Sequence, residues 1–190
     1  MAAFRDTLED NHRLDWHILS RGGVSLYFRP TVLGEDMAWL TAEHYEVTEF
    51  DAADWHSVDA MHDVLSHRLA FPAHYGRNFN ALRDCLEEDL AIPNQGGRAL
   101  TFLHYDAFVR SAGADPPDQP SQGAAEGLLD YVVKASRHYL LTGRRFLALV
   151  QSDDPRLRFG LLGATRTEWN SKEWLDADRV RRSETGNTQP

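Results

Sequence analysis

The apolar residues of this chain recur with two periods, and the two kinds of segment alternate along the middle of the sequence. Short apolar or alternating runs predict strands, whereas apolar residues three and four positions apart predict helices with one buried face. The predicted strands are Glu46–Phe50, Ala99–Leu103 and Phe146–Val150. The predicted helices are Ser57–Ala70, a helix from Phe79 to near Leu90, a short helix capped by Asp106, and Glu126–Leu141. Strands separated by helices pair in parallel through right-handed crossovers, so the pattern indicates an α/β fold with a mainly parallel three-stranded core sheet and packed helices.

The first 45 residues show a different pattern. Trp16 and Ile18 alternate with polar residues before Arg21-Gly22-Gly23, and alternation resumes after the glycines. The segment Leu14–Phe28 therefore predicts a β-hairpin. Glu35–His44 then predicts a short helix.

Apolar residues continue beyond the last core strand. Leu157–Leu162 predicts a further strand, and Ser171–Arg179 predicts a helix. We expect the two terminal segments to extend or cover an edge of the sheet, because an open edge invites pairing with other chains. The sequence thus predicts three parts: an N-terminal extension with the β-hairpin (1–45), a core domain (46–155), and a C-terminal extension with a tail (156–190).

The segment His74–Leu86 combines a tight turn with the start of a helix. Gly76 gives the backbone the freedom for the turn, and the Asn78 side chain can cap the helix by accepting a hydrogen bond from a backbone N–H two or three residues on. One helix face is apolar and the other is polar and acidic, so we expect the acidic face to look outward. The apolar positions are Phe79, Leu82 and Leu86, and the polar positions are Asn80, Asp84, Glu87 and Glu88.

The same segment carries a pattern that resembles a known family. The pattern is Pro-x-x-Tyr-Gly-x-Asn-x-x-Ala-Leu-x-Asp-Cys-Leu, formed by Pro72, Tyr75, Gly76, Asn78, Ala81, Leu82, Asp84, Cys85 and Leu86. It resembles the barstar family, small intracellular inhibitors of ribonucleases, and the resemblance extends more weakly over residues 46–152. The order of the predicted strands and helices is also that of the barstar fold.

This resemblance implies a function and a binding surface. In the family, the second helix and the preceding loop lie across the ribonuclease active site, where a carboxylate takes the place of the substrate phosphate. Asp84 occupies the matching acidic position. The residues expected to contact the partner are His74, Tyr75, Gly76, Asn78, Asn80, Arg83, Asp84, Glu87 and Glu88. The expected partner is a ribonuclease or another basic protein, which is bound stoichiometrically and without turnover.

Some positions depart from the family pattern and bear on the identity of the target. This chain has Arg83 where barstar has an aromatic residue, Asn80 where it has an acid, and His74 where it has a tyrosine. On a later helix, Lys134 stands in the place of an acid. Fewer acids and more cations weaken the attraction to a strongly basic nuclease. The location of the binding surface can therefore be the same as in the barstar family while the target protein differs.

Composition favours a protein partner. The chain of 190 residues has 29 acids and 20 bases, and its formal net charge of −9 repels nucleic acid and favours a basic partner. No apolar run approaches the ~20 residues of a membrane span. The single Cys85 forms no internal disulfide, and we expect it to be a small core residue. We expect a cytoplasmic protein that binds neither nucleic acid nor a membrane and uses no cofactor.

Other functions stay open at this point. Nine histidines raise the question of a metal site, but neither His-Glu-x-x-His nor Cys-x-x-Cys spacing occurs, so we expect no metal. Asp63, His67, His74 and Asp84 are candidates for an acid–base cluster, and a hydrolase using His67, His74 and Asp84 is the enzymatic alternative. A binding module for a non-nuclease partner is the other alternative. Tyr75 either contacts the partner or packs against the first core helix.

Overall fold

The computed structural model describes residues 3–5, 7–112, 123–177 and 179–180. The α-helices in this part of the chain are α1 (Leu8–Asn11), α2 (Leu14–Ser20), α3 (Pro30–Ala42), α4 (Val58–Arg68), α5 (Phe79–Asp84), α6 (Tyr105–Ser111) and α7 (Ala124–Leu141). The strands are β1 (Val24–Tyr27), β2 (Tyr45–Asp51), β3 (Gly97–Leu103), β4 (Phe146–Gln151), β5 (Leu161–Leu162), β6 (Thr165–Arg166) and β7 (Glu168–Trp169). None of the described helices is long and apolar enough to cross a membrane.

Five strands form one sheet in the order β2-β3-β4-β1-β7, and every neighbouring pair is parallel. The predicted three-stranded core is the β2-β3-β4 part, in which Thr48 pairs with Leu100 and Leu100 with Ala148. The α/β class and the parallel pairing are thereby confirmed. The terminal segments extend this core, as predicted, because β1 and β7 join the sheet at the β4 edge. β5 and β6 form a separate antiparallel pair.

Helices cover both faces of this sheet. In β4, the side chains of Phe146, Ala148 and Val150 belong to a larger apolar core with α4, α5, α6 and α7. Leu147 and Leu149 point the other way, into a second core with α2 and α3. Alternate residues of a strand face opposite sides of a sheet. Burial on both sides therefore explains why this strand is almost continuously apolar.

The predicted β-hairpin over Leu14–Phe28 is wrong. The segment begins with helix α2, which buries the adjacent residues Ile18 and Leu19, and β1 pairs in parallel with β4 instead of with a neighbour in sequence. Trp16 and Ile18 fit a period of two over only three residues, which a short helix also allows. The Gly22-Gly23 pair, with φ of +106° and +85°, connects the helix to a strand inside the sheet.

A buried carboxylate holds helix α2 in place. Asp15 is 0% exposed and accepts hydrogen bonds from the Tyr45 hydroxyl at 2.7 Å and from Arg13 Nε at 3.0 Å. The guanidinium of Arg145 also lies 3.3 Å from this carboxylate. A buried charge is tolerated when several donors surround it. The cluster therefore ties α2 to the amino ends of β2 and β4.

The C-terminal segment is less regular than predicted. The predicted strand Leu157–Leu162 is reduced to β5, and the strand that joins the main sheet is β7, at the edge beside β1. The predicted helix from Ser171 is a turn instead, and helical backbone begins only at Asp176. The turn follows from the buried Glu173, whose carboxylate accepts hydrogen bonds at 2.9 and 3.0 Å from two backbone N–H groups just before α3. The three-part division of the chain stays a prediction, and residues 181–190 of its tail lie outside the described residues.

Two further helices begin at other residues than predicted. α3 begins at Pro30, since proline suits the first turn of a helix, where no N–H is needed. Asp106 is not the cap of α6, because the helix starts at Tyr105 and its cap position is His104, with φ of +50°. The Asp106 carboxylate is buried and accepts hydrogen bonds from the Asp153 backbone N–H at 2.9 Å and from Arg110 at 2.6 Å. This side chain therefore connects α6 to the loop after β4.

The close packing at Gly23 leads to a prediction about stability. A Cβ atom at this position would lie 2.7 Å from Ser136 Cβ, and its φ disfavours any L side chain. We expect Gly23→Ala to lower the free energy of unfolding by about 2–4 kcal/mol, measured by urea denaturation. Gly34, within α3, is the control, because an added Cβ has no neighbour within 4 Å beyond its own helical turns. Gly34→Ala should raise stability by up to about 1 kcal/mol, and equal effects of both changes would contradict the packing argument.

Candidate functional site

The helix that carries the expected binding residues starts as predicted, at the Asn78 cap. The Ala81 backbone N–H donates a hydrogen bond to Asn78 Oδ1 at 2.9 Å. The amide Nδ2 of the same side chain donates to the Gly76 carbonyl at 3.1 Å. One side chain thus satisfies a free N–H of the first helical turn and also holds the preceding loop.

The turn before α5 differs from the prediction in which residue takes the unusual backbone conformation. Arg77, with φ of +49°, occupies the left-handed region, whereas Gly76 does not. The glycine serves close approach instead, since a Cβ atom there would lie 2.9 Å from Asn78 Nδ2. Arg77 also forms an ion pair at 2.6 Å with Asp63 of α4. The loop is therefore fixed at both sides, by its cap and by the neighbouring helix.

Tyr75 packs against α4, which was one of its two predicted roles. Its hydroxyl lies 2.5 Å from Nδ1 of the buried His62, and its ring contacts Phe71 edge-on with centroids 5.0 Å apart. His62 also contacts the Phe79 ring of α5. Burial raises the pKa of the Tyr75 hydroxyl above its usual range. The ring is half-buried, so it joins the loop, α4 and α5 while part of it stays at the surface. Whether it also contacts a partner stays a prediction.

Helix α5 places its residues on the predicted faces. Phe79, Leu82 and Leu86 are buried in the larger core. After Asp84 the backbone widens into a π-helical turn, Cys85–Asp89, which the sequence pattern did not indicate. The exposed residues of the helix and this turn are Asn80, Arg83, Asp84, Glu88 and Asp89, with Glu87 half-buried beside them. We call the surface of Asp84, Glu87 and Glu88 the acidic face.

The central acid of this face already has a cationic neighbour. Arg83 donates two hydrogen bonds to Asp84 Oδ1, from Nε at 3.0 Å and from Nη2 at 2.7 Å. The two side chains are about half exposed. The Asp84 carboxylate raises the pKa of Arg83, and the charge of Glu87 adds to the effect. The carboxylate is therefore partly neutralised from within its own helix.

Helix α7 supplies a second edge to this surface. Lys134 forms an ion pair with Asp130 at 2.6 Å and lies over the Tyr131 ring, 5.1 Å from its centroid. Tyr131 in turn contacts the Phe79 ring of α5, with centroids 6.0 Å apart. Sequence reasoning found Lys134 but missed Asp130, although the two residues are four positions apart on a helix, a spacing at which side chains meet. The positive charge of Lys134 is therefore neutralised by Asp130 on the same helix.

Each cation on this surface is paired, and three acids are not. Arg77, Arg83 and Lys134 have the partners described above. In contrast, no ion pair within 4 Å engages Glu87, Glu88 or Asp89 among the described residues. The net charge of the surface is therefore negative. Its magnitude is smaller than the number of acids alone indicates, because three of the acids are paired with cations.

The residues considered for an acid–base site are not joined to one another. His67 and His74 are exposed, the Asp63 carboxylate pairs with Arg77, and Asp84 pairs with Arg83. No hydrogen bond or ion pair between these two histidines and the two acids occurs in the described part of the chain. The described part of the chain also contains no group of three His, Cys, Asp or Glu side chains arranged to hold a metal ion.

Cys85 lies on the buried side of the π-helical turn. Its side chain is 6% exposed and packs where the sequence placed a small core residue. Burial, with a hydrogen bond to Asp89 as a further cause, raises the pKa of the thiol to about 11. A thiol with a raised pKa holds little reactive thiolate at neutral pH. The geometry therefore assigns it a packing role.

Fold and surface together define an α/β protein of the barstar-like class, in which a capped acidic helix lies beside a parallel sheet. The chain belongs to the barstar family: the family described as "Barstar (barnase inhibitor)" matches residues 45–151. A relative from Bacillus subtilis (strain 168), described as "Putative ribonuclease inhibitor YrdF", is 42% identical over 43 residues. These residues are 23% of this chain and 47% of that relative, so the match spans about half of the relative's length. The resemblance inferred from the helix motif is confirmed, and the family is one of inhibitors.

The cap at Asn78 leads to a second prediction about stability. Asn78→Ala removes the acceptor for the Ala81 N–H and should lower the free energy of unfolding by about 1 kcal/mol, measured by urea denaturation. Asn78→Asp keeps the acceptor but loses the Nδ2 donor to the Gly76 carbonyl, so it should lose less stability than Asn78→Ala. Asn80→Ala is the control on the exposed side of the same helix and should change stability by less than about 0.5 kcal/mol. A similar loss for both alanine variants would show that the cap is not what stabilises the helix start.

Proposed function

We propose that this chain is a cytoplasmic, stoichiometric inhibitor of an intracellular or toxin-type ribonuclease, and that it binds through the acidic face and the loop before α5. One observation carries the proposal: α5 presents Asp84 at the surface of a helix that is capped by Asn78 and buried along its opposite side. Membership of the barstar family supports it. The partner is a protein, since the net charge of −9 opposes binding to nucleic acid.

The physical logic depends on what a ribonuclease active site is built to hold. Such a site gathers cationic side chains around the phosphate group of RNA. A carboxylate held on a rigid helix offers negative charge to those cations but contains no bond that the nuclease can cleave. Rigidity reduces the entropy lost on binding, and both the cap and the buried side of α5 provide it. The same surface needs no catalytic residue or cofactor of its own.

The pairing of Arg83 with Asp84 shapes the proposed interaction. On binding, the cations of the nuclease compete with Arg83 for the carboxylate. Arg83 then has to donate to another carboxylate or move into solvent. Electrostatic attraction at a distance is weakened, because a paired charge steers a partner less strongly than a free one. The expected target is therefore a nuclease whose binding depends less on long-range charge attraction, or one with an acidic residue near its phosphate site that can pair with Arg83.

The role of Asp84 can be tested by capture and titration. Lysate of the native cell is passed over the wild-type protein and over Asp84→Ala, and captured nuclease activity is detected in an RNA-containing gel. We expect the variant to lose the nuclease and, in titration of the purified nuclease, to need about 100-fold more protein for half inhibition. Asp54→Ala, an exposed acid outside the surface, is the charge-matched control and should behave as wild type. Unchanged inhibition by Asp84→Ala would remove the proposed mechanism.

Arg83 provides the complementary test. Arg83→Gln frees the Asp84 carboxylate, so we expect association with the captured nuclease to become about threefold faster or more at low salt. The difference should shrink as salt is added, because screening weakens attraction between exposed charges. Surface plasmon resonance over a series of ionic strengths measures both effects. Slower association of the variant would show that Arg83 contacts the partner directly.

A binding module for a non-nuclease partner is the second candidate. The observation that favours it is the set of cations Arg77, Arg83 and Lys134 around the acidic face, which lowers the negative charge available to a nuclease. Such a module would form a salt-sensitive complex without protecting RNA from cleavage. The hydrolase alternative has no comparable support, since His67 and His74 have no hydrogen bond to Asp84 in the described chain.

A further inference from the structure

A second surface lies away from the acidic face, where the C-terminal segment packs beside β1 and β7. It is a groove of about 910 Å³, large enough to hold several side chains of a ligand. Its apolar lining includes Leu26, 1% exposed, and the half-buried Trp169. Phe159, Leu161 and Trp174 also line it. None of these residues belongs to α5 or α7, so the groove is distinct from the proposed inhibitory surface.

Large apolar side chains are exposed around this groove. Trp174 is 69% exposed and Leu161 is 58% exposed, and the neighbouring Leu175 is 52% exposed. They are three of the four large apolar residues that are exposed in the described part of the chain. Clustered apolar exposure of this kind marks a binding surface more often than single exposed residues do. Tryptophan is also one of the residue types enriched among those that contribute most to binding at protein interfaces.

Arginines surround the apolar centre. Arg21 pairs with Glu168 at 3.2 Å, and Arg158 pairs with Asp176 at 2.7 Å. Arg166 lines the groove as well, and no carboxylate pairs with it among the described residues. The rim thus carries more positive than negative charge.

A fourth arginine adds to this excess. The buried Arg179 forms an ion pair with Asp176, the carboxylate that Arg158 also uses, and lies 4.1 Å from the centroid of the Trp169 ring. Asp176 is therefore shared by two guanidinium groups. The residues that line the groove thus carry an excess of one positive charge, three arginines against two carboxylates, on a protein of net charge −9.

We propose that this groove binds an extended peptide segment of a second protein, in which acidic side chains alternate with aliphatic ones. The aliphatic side chains would pack on Trp169 and Trp174, and a carboxylate would pair with Arg166. Nucleic acid fits less well, because the two carboxylates of the rim and the net charge of the whole chain repel its phosphates. The proposal does not depend on ribonuclease inhibition, and it gives the chain a second partner that can be bound together with the first.

The test uses the full chain and three fluorescein-labelled probes: a decapeptide of alternating leucine and aspartate, one of alternating leucine and lysine, and a decauridylate RNA. We expect fluorescence polarisation to show binding of the acidic peptide alone, weakening as salt is added. Equal or tighter binding of the RNA or of the basic peptide would overturn the proposal. Absence of binding by the acidic peptide would overturn it as well.

Variants locate the binding on the molecule. Trp174→Ala and Arg166→Ser should each weaken peptide binding about tenfold or more, while their far-ultraviolet circular dichroism stays that of wild type. Leu141→Ala and Arg144→Ser change exposed residues elsewhere and should bind as wild type, as should Asp84→Ala. Loss of binding in Asp84→Ala would place the peptide on the acidic face. Concentration-dependent self-association in sedimentation, abolished by Trp174→Ala, would make a second copy the occupant and overturn the proposal.

Discussion

Burial of β4 on both of its faces is the constraint on which the rest of this structure depends. A parallel strand in the middle of a sheet exposes no edge, and its alternate side chains need an apolar layer on each side. Phe146, Ala148 and Val150 meet the helices of the larger core, and Leu147 and Leu149 meet α2 and α3. The family match, residues 45–151, begins only after α3. The first 45 residues are therefore part of what completes the second core.

The two surfaces of the protein follow from this arrangement. On the larger core, α5 is anchored by its apolar side, which leaves the opposite side free to carry Asp84 and its acidic neighbours. Beside β1, the C-terminal segment is held by two buried charges, Glu173 against the start of α3 and Arg179 against Trp169. These contacts fix the backbone around the groove. In both places a fixed backbone supports the exposed side chains, and rigidity of this kind reduces the entropy that a surface loses when a partner binds.

Much of the fold could be predicted because its causes are local. A continuous apolar run indicates a buried strand, as at Phe146–Val150, and an asparagine before an apolar stripe indicates a cap, as at Asn78. The prediction of a hairpin was wrong because Trp16 and Ile18 alternate with polar residues over too few positions to distinguish a strand from a helix. For the site, pattern reasoning found the acidic face but not the pairing of Arg83 with Asp84. Adjacent residues on a helix normally point in different directions, and only the length of the arginine brings them together.

The position of β1 has a consequence for how the chain reaches its folded state. This strand is made early but lies between β4 and β7, and the carboxylate of Glu173 binds a backbone N–H 145 residues away. Contacts between such distant parts of a chain slow folding, because a long loop has to close before they form. During synthesis, β1 and α2 are made before β4 and β7, the strands that pair with β1 in the folded sheet. Until then, the apolar side chains and the backbone edge of β1 are exposed, and surfaces of this kind are what chaperones bind.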